Sequence, residues 1–114
     1  MFEREGDDLH HVLRLPMTQA SLGAHLTIDT LDGTEDLLVP AGTQTGRAFR
    51  LRGRGVPALR GRGRGDLIVT VEVVVPEKLN AEEAQLIRRL AEIRGEDVAP
   101  REEGFFSRIK SAFQ

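Results

Sequence analysis

The chain is expected to fold as a mainly β protein that ends in one or two amphipathic helices, and three features of the sequence predict this. Apolar residues alternate with polar ones through 8–15 and again through 26–30, the two-residue period of half-buried strands. Residues 66–75 form a long run rich in β-branched side chains, suited to a central strand. After Pro76 the apolar period lengthens to that of a helix. At 114 residues the chain is one domain with an appendage, and a domain near this size buries roughly two-thirds of its unfolded surface.

Taken in order, Leu9, His11, Leu13 and Leu15 share one face of the first strand, with Asp8, His10, Val12 and Arg14 on the other, and Pro16 ends it. Thr18-Gln19-Ala20-Ser21-Leu22 is a short helical turn stopped by Gly23. Leu26, Ile28 and Thr30 resume the alternation. Asp32-Gly33 then predicts a tight hairpin, because both turn residues are expected to accept positive φ, with 35–39 as the returning strand. Pro40-Ala41-Gly42 punctuates the chain before an extended segment, 47–51, and the long strand over 66–75. Asn80 and Glu83 have the spacing of a capping box, Leu86, Ile87, Leu90 and Ile93 recur at helical spacing, and Gly95 stands where a helix-terminating glycine belongs. The helix is therefore placed over 77–95. Residues 96–103 are polar and carry Pro100, which reads as a linker. Residues 104–114 hold Phe105, Phe106, Ile109 and Phe113, a second short amphipathic stretch that docks either on its own domain or on a second copy.

Composition narrows the function classes. Hydrophobic residues make up 39% and charged residues 30%, ordinary for a soluble globular protein. No apolar run approaches the ~20 residues that span a bilayer, and the first residues lack the apolar core of a secretory signal, so no membrane partner and a cytoplasmic location are expected. With no cysteine, disulfides and thiolate zinc sites are excluded. Net charge is −2, but Arg47, Arg50, Arg52, Arg54, Arg60, Arg62 and Arg64 fall in a stretch without one carboxylate. Such a cluster could attract a polyanion; solvated loop arginines are the plainer account.

No constellation of residues has the spacing of a catalytic or metal site. His10 and His11 are strand neighbours that point to opposite faces and cannot share an ion. Asp7 and Asp8 sit in a turn-like Gly-Asp-Asp, and the three serines lack a nucleophile-elbow setting. The glycine-rich stretch from Gly53 to Asp66 is no phosphate loop, for it lacks Gly-Lys-Ser/Thr and enters a strand. As an arginine-glycine nucleic-acid segment it has no aromatic residue to stack on a base, which makes nucleic acid an unfavoured partner. Its glycines are better explained by positive φ and close backbone approach.

Several motifs occur together in a telling order: Gly6-Asp7-Asp8-Leu9-His10, Thr18-Gln19-Ala20, Leu22-Gly23, Thr30-Leu31-Asp32-Gly33, Pro40-Ala41-Gly42-Thr43-Gln44-Thr45-Gly46, Leu51-Arg52-Gly53-Arg54-Gly55-Val56-Pro57 and Gly65-Asp66-Leu67. In combination they resemble the second C-terminal domain of the DnaJ co-chaperones, over residues 2 to about 94. Gly104-Phe105-Phe106-Ser107-Arg108-Ile109-Lys110 is similar to the tail of many bacterial members. The resemblance implies a small β-sandwich-like client-binding domain over 1–76, then a helix through which two protomers pair. It implies unfolded proteins as clients, handed to a DnaK-type ATPase, and a homodimer. By the same resemblance Leu13, Leu15, Leu26 and Ile28 correspond to the strands of a client groove, although the same four could simply be core. Leu86, Ile87, Leu90 and Ile93, with Phe105, Phe106, Ile109 and Phe113, would supply the dimer contact. The His-Pro-Asp tripeptide, the Gly/Phe linker and the cysteine repeats of the family's zinc module have no counterpart in these residues. Neither a cofactor nor stimulation of the partner ATPase is therefore expected of them. A polyanion-binding module and a pure dimerisation module stand as the alternatives.

Overall fold

The structure, a computed structural model, describes residues 2–57 and 63–100. The chain divides into two compact units, Met1–Pro76 and Glu77–Gln114.

The first unit is β1 (Phe2–Glu5), β2 (Asp8–Pro16), a short helix α1 (Met17–Leu22), β3 (Ala24–Thr30), β4 (Gly33–Val39), β5 (Ala48–Leu51) and β6 (Leu67–Val74). Four strands form a sheet in the order β1-β2-β6-β5, and β3 and β4 form a two-stranded sheet of their own. The β-branched run is indeed central: β6 lies between β2 and β5. It pairs parallel with β2, Leu9 opposite Leu67 and Leu15 opposite Val73, and antiparallel with β5. A parallel neighbour cannot be reached by a tight turn. Everything between β2 and β6 is thus one long connection, and the hairpin and β5 are built within it.

The alternation read from the sequence decides what faces inward. Leu9 and Leu15 of β2, Leu67, Val69 and Val71 of β6, Ile28 of β3, Leu37 and Val39 of β4, and Ala20 of α1 form one buried core, with Leu13, Leu26, Phe49 and Val73 packed against it. The hairpin and the four-stranded sheet thus contribute to one apolar interior, the sandwich-like arrangement expected. Each fully buried aliphatic side chain adds about 1.5–3 kcal/mol.

Two local expectations are corrected. β1 was not anticipated, since Phe2–Glu5 has no apolar alternation; it joins β2 through a two-residue turn at Gly6-Asp7, with Glu5 opposite Asp8. The β3–β4 turn lies one residue earlier than Asp32-Gly33. Thr30 pairs with Gly33, so Leu31 and Asp32 form the turn and only Gly33 takes positive φ, 118°. The Thr30 hydroxyl explains the shift: it donates to the Gly33 carbonyl at 2.9 Å and accepts from the Asp32 N–H at 3.2 Å, bracing a turn that does not need Asp32 in the left-handed region.

The second unit contains α2 (Ala81–Arg94). Asn80 accepts from the Glu83 N–H and the Glu83 carboxylate accepts from the Asn80 N–H, each at 2.8 Å, the reciprocal capping box. At the other end Gly95 is left-handed, φ 68°, with its N–H on the Glu92 carbonyl and the Glu96 N–H on the Ala91 carbonyl, a Schellman closure. Residues beyond the helix do not simply lead away as a tether. Val98 and Ala99 lie against Leu79, Ala84, Ile87 and Arg88 around an open concavity of ≈ 210 Å³, and the Arg88 guanidinium donates to the Ala99 carbonyl.

Candidate interaction surfaces

The glycine–arginine loop is best understood through its backbone. Segments 6–8, 53–57 and 63–66 converge: Val56 N–H donates to the Asp7 carbonyl at 2.8 Å, Gly55 N–H to the Gly65 carbonyl and Gly65 N–H to the Val56 carbonyl at 2.9 Å each, and the Asp66 N–H to the Asp8 carboxylate at 2.7 Å. A Cβ on Gly65 would lie 2.0 Å from the Asp7 carbonyl oxygen, and one on Gly55 2.5 Å from the same atom. These two glycines are present because three strands of backbone meet there.

Three of the five described arginines in this stretch, Arg50, Arg54 and Arg64, have carboxylate partners. Arg50 pairs with Asp66 at 2.6 Å and lies 3.9 Å from Asp8. Arg54 reaches Glu35 at 2.8 Å and Asp32 at 3.7 Å, and Arg64 pairs with Asp32 while donating to the Gly55 carbonyl. Arg47 stands 4.9 Å from the Phe49 ring centre, a cation–π contact. Asp66 also accepts from the Gly53 N–H at 2.9 Å; that bond, then the Arg50 contact, holds its carboxyl below the usual aspartate range, and Asp66 in turn raises Arg50. The cluster therefore clips the tip of the β3–β4 hairpin to the loop before β6, and much of its charge is neutralised in place. Sequence reasoning treated the arginines alone. The matching signal was the acidic hairpin tip, Asp29, Asp32, Glu35 and Asp36, which sits far from them in sequence. Arg60 and Arg62 lie outside the described residues.

The four residues assigned to a groove divide into two pairs. Leu15 is 1% exposed and Ile28 7%, both in the core, so neither offers surface to a ligand. Leu13 and Leu26 are half-buried at its margin. Exposing Leu15 and Ile28 together would cost about 3–6 kcal/mol at the usual price of burial. That is a large part of the ~5–15 kcal/mol holding a whole domain together.

The helix carries its apolar residues on two faces. Leu86, Leu90 and Ile93, spaced i, i+4 and i+7, are 65%, 52% and 67% exposed and form one stripe. Ile87 is about 100° further round, with Ala84 and Arg88, on the face covered by Val98 and Ala99. Thus three of the four helical residues proposed for pairing are exposed together, and Ile87 is turned toward the concavity. Phe105, Phe106, Ile109 and Phe113 lie outside the described residues. Among the described residues no group of three or more His, Asp or Glu could hold a metal ion, and no helix is long and apolar enough to cross a membrane.

A β unit with a closed core is followed in sequence by a firmly capped helix with a bare apolar stripe, a mainly β architecture in two parts. Comparison with known proteins makes this specific: residues 1–76 match the family model of the DnaJ C terminal domain, and residues 82–114 match the Chaperone protein DnaJ C-terminal region. The chain belongs to the DnaJ C-terminal domain family of chaperones. It is 49% identical over 117 residues to Chaperone protein DnaJ 2 of Streptomyces avermitilis, covering 98% of this chain and 31% of that protein. It is 44% identical over 112 residues to Chaperone protein DnaJ of Acetivibrio thermocellus, covering 98% and 29%. With Chaperone protein DnaJ of Halobacterium salinarum it shares 48% over 112 residues, 98% and 28%. The chain spans about a third of the length of the curated relatives it matches.

Proposed function

We propose that this chain is the client-holding and self-associating region of a cytoplasmic DnaJ co-chaperone, one that presents non-native proteins to a DnaK-type ATPase through parts beyond these residues. The observation that carries the reading is the exposed stripe of Leu86, Leu90 and Ile93 on a helix capped at both ends. A helix this well formed does not need that stripe for itself, and covering it with the same stripe of a second copy is the symmetric solution. Ile87 lies behind the stripe, and Phe105, Phe106, Ile109 and Phe113 complete the apolar complement of the unit. Client chains are held weakly at the margin of the β core, where Leu13 and Leu26 keep apolar surface and Leu15 and Ile28 support them from below. Such holding needs shape and exposed apolar area and no cofactor.

The alternative of a polyanion-binding module is disfavoured by the ion pairs that occupy Arg50, Arg54 and Arg64. Two measurements test the proposal. Leu86→Glu with Leu90→Glu is expected to shift the chain from dimer to monomer in equilibrium sedimentation. Leu13→Ser with Leu26→Ser is expected to weaken anisotropy-detected binding of an uncharged apolar peptide short enough for one site about tenfold, as loss of roughly 1.4 kcal/mol of apolar contact would. Unchanged association and unchanged affinity in folded variants would sink the two halves separately.

A further inference from the structure

The concavity on the rear face of α2 is a second apolar feature, distinct from the stripe. Its walls are Leu79, Ala84, Ile87, Val98, Ala99 and Arg88, whose guanidinium donates to the Ala99 carbonyl. Its volume of ≈ 210 Å³ exceeds the ~150 Å³ of a cavity that accepts benzene, so this open depression has room for one aromatic ring.

We propose that this concavity is the docking site of the chain's own tail, and that it takes one ring of the Phe105-Phe106 pair. Three observations argue for this occupant. Pro100 immediately follows the two residues that form one wall, and Phe105 is five residues further on in sequence. Five residues reach up to about 17 Å, ample for a return to a site the chain has just left. The chemistry matches as well: the space is apolar, and 101–104, Arg-Glu-Glu-Gly, offers nothing to fill it, so the phenylalanines are the first residues after Pro100 that can. Finally, a tether this short gives an effective concentration in the millimolar range, far above that of a second copy in dilute solution. For a single-ring contact of modest strength, the tail of the same chain wins. The tail thereby buttresses α2 from behind, leaving Leu86, Leu90 and Ile93 on the opposite side free for another surface; the proposal stands whether or not that stripe pairs.

The chain has no tryptophan and no tyrosine, so Phe105→Trp and Phe106→Trp, made singly in the full chain, each create a sole reporter. The expected result is blue-shifted emission from at least one of them. It should be unchanged on dilution and in the Leu86→Glu, Leu90→Glu background, and shifted to the red when Ala84→Leu fills the concavity. A blue shift that vanishes on dilution or in that background would assign the tail to a second copy and overturn docking within the chain. Emission like that of tryptophan in water from both reporters would overturn docking altogether. Failure of the stripe to mediate self-association would appear in sedimentation alone and leave the fluorescence result intact.

Discussion

At the scale of single residues, the loop before β6 separates two reasons for glycine that a sequence cannot distinguish. Gly53 has φ 73° and open space where a side chain would go, whereas Gly65 has no left-handed φ but a carbonyl oxygen 2.0 Å from the place of a Cβ. Gly53→Ala is therefore expected to cost only about 1–2 kcal/mol, the strain of a left-handed L-residue. Gly65→Ala forces three backbone segments apart and is expected to cost about 3 kcal/mol or more. Urea midpoints of the two variants test the ranking, and an equal loss would remove the close approach as the reason for Gly65. Asp66 makes a prediction of a different kind. Its folded-state pKa is lowered, chiefly by the Gly53 N–H and then by Arg50. In such a case the unfolded chain binds the proton more readily, so the contribution to stability is present above the ordinary aspartate range and lost as pH falls through the lowered value. Asn in its place can keep the Gly53 bond but not the charge. The stability gap between the wild type and Asp66→Asn should accordingly be open at neutral pH and close on acidification below the ordinary aspartate range, and a gap that is constant with pH would mean the charge contributes nothing.

At the scale of elements, α2 was legible because its signals are local: a capping box, a helical apolar period and a stop glycine all lie within 80–95, although the placement over 77–95 began four residues before Ala81. The same holds for β2 and β3, whose alternation reports which face is buried, for β4, announced by the Asp-Gly turn signal, and for β6, announced by its β-branched run. What could not be read depends on partners distant in sequence. β1 is a strand because β2 offers it a ladder, not because Phe2–Glu5 has strand character, and nothing in β2 or β6 alone declares that they run parallel. Alternation likewise places Leu13 and Leu15 on one face without saying that the second is sealed while the first sits at the margin. The locally coded helix also gives the most direct test at this scale. Asn80→Ala removes the acceptor for the Glu83 N–H and is expected to cost about 1 kcal/mol. Amide exchange should show the loss concentrated in the first turn of α2, with β6 untouched. Equal loss in both would contradict the independence of the two units' internal bonding.

At the scale of the whole molecule, the proposal makes self-association a means of strengthening weak sites. All nine members of the main core lie in the first unit, between Leu9 and Val71. Charges introduced at Leu86 and Leu90 should therefore leave the β unit intact and each holding site unchanged. Joining two such sites in a dimer converts the second contact with a long client into an intramolecular step, which raises overall affinity by about 10²–10⁴-fold if the chain can bridge both. A short peptide long enough for one site gains nothing from the second. The Leu86→Glu, Leu90→Glu protein is thus expected to bind a short apolar peptide as the wild type does and a long unfolded polypeptide about 100-fold more weakly or worse, measured by anisotropy under the same salt. Equal loss for both ligands would mean that the stripe itself holds clients. No loss for either would mean that one site carries the binding and that pairing of the helices serves another purpose.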